Sequence, residues 1–335
     1  MKSINGWKKM PRCVVIGTTN SAISLAKGVL DGGGELVAVV SLKKELLPNN
    51  SVDIESFAKS VGCEYYEVDD INNFTSLFAS FDMDYLIVSW PKILKENIYK
   101  LSKRATIVAH ATDLPKNRGR HAGHWYKVLG LTEGVLSFFY MDSGVDSGEI
   151  ILKLPFKILK SDTINDINKK IDKLSKDGIC EILQNESLVR NKTKQVGIPN
   201  YWRKRNMHDV LIDVRMPIRY IISLVDSFCP PYPCAKLICE SKVFDITKAE
   251  KIDKECNNIE YGKVFLLDDT SIILKCGDGA IKLYSNESFK DYFVKLQGLE
   301  NKKGLINVEN LDSAGGGGIY VLTPSFYIAK HKLEL

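Results

Sequence analysis

The sequence lacks long apolar runs. None approaches the roughly 18 residues that span a bilayer, and the first residues, M-K-S-I-N-G-W-K-K-M-P, lack the apolar core of a secretory signal. We therefore expect no membrane partner and a location in the cytoplasm. No C-x-x-C pair occurs among the eight cysteines, so no metal site is expected. Their apolar flanks indicate buried, reduced thiols.

The turn after the first apolar run is poor in glycine. It reads G-T-T-N-S-A and has one Gly where the dinucleotide fingerprint G-x-G-x-x-G needs three. This argues against a nicotinamide enzyme. A helix that begins there could still receive a phosphate, and an ordinary strand-to-helix turn is the alternative. No repeat of the kind that builds solenoids is visible.

The bulk composition is that of a globular protein. A chain of 335 residues favours two domains, because single cores stop growing near roughly 250–300 residues. With 44% hydrophobic and 26% charged residues it is not a disordered chain. The net charge of +5 permits anionic partners without demanding nucleic acid.

Apolar runs alternate with helical patterns through the first half of the chain. This alternation predicts an α/β domain in which a parallel sheet has helices on both faces. The strands are predicted at residues 13–16, 36–42, 65–68, 85–89, 107–109, 135–141 and 149–157. The helices are predicted at residues 21–30, 54–61, 74–79, 93–100 and 163–185, with Asn20 or Ser21 as the cap of the first. Pro155 predicts either a sheet edge or the end of strand pairing.

The texture of the chain changes near residue 190. The stretch R-N-K-T-K-Q-V-G-I-P-N-Y-W-R-K-R is basic and contains Gly and Pro, which predicts a linker. A helix over 218–228 ends at C-P-P-Y-P-C-A, because proline cannot continue it. Five short apolar runs follow and predict a small antiparallel barrel or sandwich. The predicted division is a catalytic domain (1–190), a linker (191–213), a second domain (214–300) and a tail (301–335) with a flexible glycine run at 315–318.

A histidine and an aspartate mark the candidate site. His110 follows a β-type run, and Asp146 lies 36 residues later in the turn M-D-S-G-V-D-S-G-E-I. That spacing leaves room for a loop, a helix and a returning strand. A His and an Asp that meet in a cleft suit proton transfer near neutral pH. Taken alone, a His after an apolar strand is more often a structural residue.

The sequence around this pair resembles the folate-dependent formyltransferase family, and most closely its nucleotide-sugar N-formyltransferases. The family pattern is N-x-H-x-S-L-L-P-x-x-R-G followed by D-x-G-x-D-T-G. The matching positions are His110, Leu114, Pro115, Arg118, Gly119, Asp142, Gly144, Asp146, Ser147, Gly148 and Ile150. The resemblance covers about residues 12–190 and extends to Y-W-R-K-R and P-P-Y-P-C-A at the start of the second domain. It implies a Rossmann-like, mostly parallel sheet with a smaller C-terminal OB-like β-barrel.

The resemblance also implies a reaction. The donor is N10-formyltetrahydrofolate, the acceptor is a primary amine, and the products are a formamide and tetrahydrofolate. The Y-W-R-K-R entry favours a nucleotide-linked amino deoxysugar as acceptor, for surface polysaccharide (lipopolysaccharide) biosynthesis, with no nucleic-acid partner. A homodimer through the second domain is left open.

Two alternatives to the sugar acceptor remain. The first is methionyl-tRNA formyltransferase; its usual long basic insertion in the first domain is absent before His110, although the linker is basic. The second is a non-catalytic relative that binds a sugar nucleotide or folate.

The family pattern implies roles for individual residues. His110 and Asp146 are the catalytic residues. The implied folate-binding residues are Ser89, Trp90, Leu114, Pro115, Asp142, Gly144 and Val145, and the implied acceptor-side residues are Thr18, Asn20, Arg118, Arg120 and His124. Arg118 could instead brace its loop, and Trp90 could be a core aromatic. Tyr201 and Trp202 could stack on a base or pin the linker to the first domain.

One departure from the family pattern concerns catalysis. Val108 stands where the family usually has an Asn that is thought to hydrogen-bond the developing oxyanion. Losing such a donor typically costs about 10²–10³ in rate. We expect another donor to replace it, for which His110, a backbone N–H and His124 are the candidates.

Overall fold

The computed structural model describes residues 10–239, 242–297, 306–307 and 321, and the chain divides into two compact units. The first unit takes in the chain up to Ala122 together with Thr132–Leu159 and Asp166–Lys204. The second takes in Gly123–Leu131, Lys160–Asn165 and the chain from Arg205 onward. The domain limits inferred from the sequence remain predictions. The glycine run at 315–318 and most of the predicted tail, 301–335, lie outside the described residues.

Strands and helices alternate up to Lys204, as the apolar runs predict. In chain order they are β1 (Arg12–Gly17), α1 (Asn20–Asp31), β2 (Glu35–Leu42), α2 (Ile54–Val61), β3 (Glu64–Val68), α3 (Thr75–Ser80), β4 (Tyr85–Ser89), α4 (Glu96–Tyr99), β5 (Ala105–His110), β6 (Arg118–Gly119), α5 (Ala122–Val128), β7 (Glu133–Tyr140), β8 (Ile150–Lys157), α6 (Ile164–Gln184), α7 (Ser187–Arg190) and β9 (Tyr201–Trp202).

Seven of these strands form one sheet in the order β3-β2-β1-β4-β5-β7-β8. The ladders from β3 to β5 are parallel, and β7 and β8 add antiparallel ladders at one side. The mostly parallel sheet is thereby confirmed. Pro155 lies on β8, which is an edge strand, as predicted.

The core of the first unit follows from strand alternation. Val14 of β1, Val40 of β2 and Val88 of β4 point to one face and pack with Phe78 of α3 in a single apolar cluster. Burying each such side chain contributes about 1.5–3 kcal/mol. Two details differ from expectation. Thr19 is the N-cap of α1 and makes no side-chain cap hydrogen bond, and the helix predicted at 93–100 is the single turn α4.

The second unit contains an antiparallel sheet, as predicted. Its elements are α8 (Ile218–Ser227), β10 (Ala235–Cys239), β11 (Lys242–Ile252), β12 (Val264–Leu267), β13 (Ser271–Cys276), β14 (Gly279–Ser285), α9 (Phe289–Gln297) and β15 (Ile306–Asn307). The strand order is β10-β11-β14-β13-β12-β15. The five predicted runs correspond to β10 to β14, and α9 was not predicted.

Helix α8 supplies one wall of the core of the second unit. Ile218, Ile221 and Val225 recur at helical spacing, so they share one face. They belong to one apolar cluster with Phe244 of β11 and Ile281 of β14.

Among the described residues no helix combines the length and apolar character that a bilayer crossing needs.

Candidate active site

His110 ends β5, where the strand changes from buried to half-buried. Its Nε2 lies 3.2 Å from the carbonyl oxygen of Asn117 and 3.8 Å from Oδ2 of Asp146. A carbonyl oxygen can only accept, so Nε2 is the ring nitrogen that carries the hydrogen in this arrangement. The structure therefore brings the two predicted catalytic residues together.

Asp146 lies in the loop between β7 and β8. Its Oδ2 accepts a hydrogen bond of 2.8 Å from the backbone N–H of Gly119. An Asx turn shapes the loop, because Oδ1 of Asp142 accepts from the backbone of Gly144 and from the hydroxyl of Ser147. Asp146 itself has a φ of +50°, in the left-handed region that non-glycine residues rarely occupy. The aspartate is thus held by surrounding contacts rather than by its own backbone preference.

The loop that carries Gly119 pairs with the predicted linker. Arg118 and Gly119 form the short strand β6, which lies parallel to Tyr201 and Trp202 of β9. Gly119 has a φ of +108°, and a Cβ there would lie 2.3 Å from the carbonyl oxygen of Trp202. Only glycine fits this approach. Tyr201 and Trp202 therefore pin the linker to the first unit, which was one of the two roles considered for them.

The two predicted acceptor-side arginines differ in their contacts. Arg118 donates from Nη2 to Oε1 of Gln195 at 2.7 Å and from Nη1 to the hydroxyl of Tyr201 at 3.3 Å. It braces the loop, as the alternative interpretation allowed. Arg120 is exposed and donates to the carbonyl oxygen of Pro91 at 3.0 Å. Its contact with an acceptor stays a prediction.

The predicted folate-binding residues lie in three places. Ser89 ends β4 and Trp90 follows it, and Asp142, Gly144 and Val145 lie in the exposed β7–β8 loop. Leu114 and Pro115 are buried, and Leu114 packs with Phe139 and Ile150. Their burial gives these two a structural role beside the strand ends.

Trp90 provides a test of whether a ligand fits here. Its indole Nε1 is buried and has no hydrogen-bond partner within the part of the chain that the structure describes. Leaving a buried donor unpaired costs about 1–3 kcal/mol, so a bound acceptor group would relieve it. The Val145 side chain, in the β7–β8 loop, is 56% exposed although apolar. These features fit a ring system with polar edges, such as a pterin.

The other predicted acceptor contacts receive less support. Thr18 is 1% exposed, so its hydroxyl does not face a ligand at the surface. Asn20 is exposed at the start of α1. His124 is buried in the second unit, where its Nδ1 lies 2.6 Å from the carbonyl oxygen of Ser227 and its ring stacks on Phe228. An acceptor contact or an oxyanion role for His124 conflicts with this burial.

Val108 confirms that the usual amide donor is missing. Its side chain is half-buried and packs against two apolar clusters of the first unit. It offers no polar atom, so His110 and backbone N–H groups are the remaining candidates for the oxyanion donor. No group of three metal-ligating side chains occurs among the residues that the structure describes.

Comparison with known proteins identifies the family. Residues 12–183 match the formyl transferase family, and residues 205–288 match the formyl transferase C-terminal domain. The chain therefore belongs to the formyl transferase family, as its two motifs predict. N10-formyltetrahydrofolate is the formyl donor of this family.

Individual relatives extend over most of the chain. The methionyl-tRNA formyltransferase of Pelotomaculum thermopropionicum is 26% identical over 285 residues, which cover 81% of this chain and 88% of the relative. HypX from Aquifex aeolicus has a TM-score of 0.63 at 14% identity, over 88% of this chain and 49% of HypX. WlaRD, a sugar 3N-formyl transferase solved in the presence of dTDP and 5-N-formyl-THF, has a TM-score of 0.60 at 16% identity, over 83% of this chain and 98% of WlaRD. At such identities the solved structures show the fold alone.

These relatives correct the predicted acceptor. Seven curated relatives, 22–30% identical, all carry the name methionyl-tRNA formyltransferase. The sugar formyltransferases resemble the chain in fold at 16% identity. The predicted nucleotide-sugar substrate and its place in polysaccharide synthesis are therefore wrong, and the exclusion of a nucleic-acid partner falls with them.

Proposed function

We propose that this protein transfers a formyl group from N10-formyltetrahydrofolate to the α-amine of methionyl-tRNA. The observation that carries the reaction is the meeting of His110 and Asp146 at 3.8 Å on a formyl transferase fold. The acceptor is supported by the name shared by the curated relatives, one of which aligns with 81% of the chain. A cytoplasmic location remains part of the proposal.

The two side chains divide the proton and charge chemistry. Asp146 accepts the proton that the amine loses as it attacks the formyl carbon. The same proton passes to N10 of the folate as the bond between N10 and the formyl carbon breaks, so formamide and tetrahydrofolate leave with no net change in protons. When the substrates are bound, the Nε2–H of His110 turns from the carbonyl oxygen of Asn117 to the oxygen on which negative charge develops. The backbone N–H of Gly119 keeps the Asp146 carboxylate in place at 2.8 Å and leaves its other lone pairs open to the amine. The bound folate supplies the formyl group.

The donor is held at the end of β4 and by the β7–β8 loop. The unpaired indole N–H of Trp90 and the exposed backbone around Gly144 and Val145 supply polar and apolar contacts for a pterin. Ser89 and Asp142 complete the proposed contacts, and buried Leu114 and Pro115 support the neighbouring loop.

A transfer RNA needs cations along its path. Lys192, Lys194, Arg203 and Lys204 follow one another in the segment after α7, and all four are exposed. Cations of this kind neutralise phosphates without reading sequence, so they position an RNA rather than select it. The net charge of +5 agrees with an anionic acceptor.

The proposal is tested by formylation of charged tRNA. The protein is mixed with N10-formyltetrahydrofolate and methionyl-tRNA, the ester is hydrolysed, and N-formylmethionine is measured by mass. Uncharged tRNA and free methionine serve as acceptor controls. The Asp146→Asn variant, purified in the same way, controls for a formyltransferase carried over from the expression host.

We expect N-formylmethionine from the wild type and a trace from the variant. Formylation of an amine on a small sugar nucleotide, with methionyl-tRNA untouched, would overturn the proposed acceptor.

A second candidate function has one observation in its favour. Val108 removes the amide donor that the family pattern provides, so a folate-binding relative without turnover remains an alternative. Calorimetric binding of folate together with no product from any acceptor would support it.

A further inference from the structure

The segment after α7 is joined by backbone hydrogen bonds to both loops of the candidate site. Thr193 exchanges two backbone hydrogen bonds with Ile150, of 2.7 and 2.9 Å, at the start of β8. Nine residues further on, Trp202 accepts from the backbone of Arg120 at 2.9 Å. We name residues 193–202 the return segment, because it runs from the start of β8 to the loop that follows His110. It is anchored at both ends by these backbone bonds.

Gln195 lies between the two anchors, and its side chain uses both ends of its amide. Nε2 donates to the carbonyl oxygens of Asp146 at 2.8 Å and of Gly148 at 2.9 Å. Oε1 accepts from Nη2 of Arg118 at 2.7 Å. Backbone carbonyls only accept and a guanidinium only donates, so the neighbours fix the orientation of the amide.

These bonds connect the two loops that meet at the catalytic aspartate. One loop supplies Asp146, whose carbonyl is bonded to Gln195. The other supplies Gly119, whose N–H bonds the Asp146 carboxylate and whose neighbour Arg118 is bonded to the same glutamine. The left-handed backbone of Asp146 persists only where its surroundings hold it. Gly148 is equally constrained, since a Cβ there would lie 1.7 Å from the carbonyl oxygen of Tyr140.

We propose that Gln195 is a positioning residue for the formyl transfer, acting through Asp146. The inference rests on the proposed role of Asp146. Gln195 fixes the carbonyl of Asp146 and the partner loop together, and thereby sets the distance between the Asp146 carboxylate and His110. Glutamine suits the position because it offers two donor hydrogens and an acceptor on one rigid plane.

Two substitutions separate this role from packing. Gln195→Met keeps the length of the side chain and removes both its donors and its acceptor. Gln195→Glu keeps the acceptor for Arg118, yet its carboxylate faces two carbonyl oxygens to which it cannot donate. Gln184→Met is the matched control, because Gln184 is exposed at the end of α6.

We expect Gln195→Met to lower kcat by about 10²-fold, the usual effect of a displacement near 1 Å at a reacting group, with a smaller change in the KM of the folate. The kcat of Gln195→Glu should fall at least as far, and the kcat of Gln184→Met should equal that of the wild type. Wild-type kcat in Gln195→Glu would overturn the proposal, since the donors would then be dispensable. Equal kcat in folded Gln195→Met would do the same, even if its Tm were lower.

A spectroscopic measurement that needs no substrate tests the positioning role whatever the acceptor is. Nitrogen-15 spectra of the imidazole rings are recorded at one pH, with His110 assigned from the His110→Asn variant. In Gln195→Met or Gln195→Glu, whichever folds, we expect the ring signals of His110 to move, because its distance to the Asp146 carboxylate changes. The exposed ring of His208 should stay constant. Unchanged His110 signals would overturn the positioning role. A wild type that formylates nothing would overturn the proposed function and leave this result valid.

Discussion

Different structural features hold His110 and Asp146 in the candidate site. His110 is placed by the end of a strand, and Asp146 by an Asx turn and a glycine N–H. His110→Asn removes the ring N–H. Asp146→Asn removes the proton acceptor but keeps an oxygen for Gly119, and asparagine tolerates the left-handed backbone. Each should therefore lower kcat on methionyl-tRNA by about 10²–10⁴-fold.

We expect the Tm of both variants to stay close to that of the wild type. An unchanged Tm would show that the fall in kcat comes from the lost side-chain chemistry and not from unfolding. Normal turnover in either variant would remove that residue from the mechanism.

Val108 tests whether the missing amide has been replaced. In Val108→Asn a polar amide enters two apolar clusters, which should lower the free energy of unfolding by about 1–3 kcal/mol. If His110 or a backbone N–H already serves the oxyanion, kcat should change by less than about tenfold. Urea unfolding and steady-state kinetics measure the two effects. A gain of about 10²–10³ in kcat would instead show that the wild type lacks an oxyanion donor.

The sequence motifs identify the candidate pair, His110 and Asp146, but they do not identify the residues that hold the pair in place. His110 and Asp146 lie in motifs with fixed spacing, so they could be named. Gln195 lies in a basic stretch with Gly and Pro, where no periodicity or motif distinguishes it from a flexible linker. The resemblance places His124 on the acceptor side, because the sugar-modifying members of the family have a polar amide at that position. Its burial against Ser227 and Phe228 depends on tertiary contacts that no local pattern encodes.

At the scale of the elements, a half-buried acid, Asp172 of α6, forms a hydrogen bond to Ser21 of α1. Burial raises the pKa of Asp172, and the hydroxyl of Ser21, which donates to it at 2.7 Å, opposes that rise in part. A carboxyl whose pKa is raised in the folded state lowers stability once the pH exceeds its ordinary value of about 3.9, because the folded protein binds the proton more tightly than the unfolded chain. The free energy of unfolding of the wild type therefore falls as the pH rises from the ordinary carboxyl pKa toward the raised pKa of Asp172.

Asp172→Asn should abolish that loss, since it keeps an acceptor for Ser21 and carries no charge. We expect the variant to be at least as stable as the wild type at pH 7, with the gap narrowing toward the ordinary carboxyl pKa. Asp172→Ala loses the acceptor and should be about 1 kcal/mol less stable than the asparagine variant. Urea unfolding across this pH range provides the comparison, and an asparagine variant that is clearly weaker at pH 7 would contradict it.

Most elements followed from periodicity. Strands such as β1 and β4 are continuous apolar runs because the centre of a parallel sheet is buried on both faces. The errors concern short or non-local features. The single turn α4 is shorter than its apolar pattern, and β6 and β9 have two residues each, whose pairing depends on residues more than 80 apart in the chain. Helix α9 has apolar residues at helical spacing and could have been recognised.

At the scale of the whole molecule, the acceptor was the main error of the sequence interpretation. The Y-W-R-K-R stretch predicts a sugar nucleotide through its resemblance to the sugar-modifying members of the family. In the structure its two aromatic residues have a structural role, because Tyr201 and Trp202 form a short parallel ladder with Arg118 and Gly119. The missing basic insertion counted against a tRNA acceptor, yet the relatives over 81% of the chain carry that name. An absent insertion is weak evidence, because phosphate contacts can come from any exposed cations.

Salt dependence separates a polyanionic acceptor from a small one. Each phosphate neutralised by the protein releases counterions, so binding weakens steeply as salt rises. Raising the salt from about 50 to about 200 mM should increase the KM of methionyl-tRNA by at least about tenfold, with little change in the KM of the folate. Replacing exposed Lys194 and Lys204 by Met should flatten this slope, whereas exposed Lys59 on α2, already paired with Glu55, is a control. Equal salt slopes for donor and acceptor would mean that the acceptor is a small molecule, because a polyanion held by several lysines cannot be insensitive to its counterions.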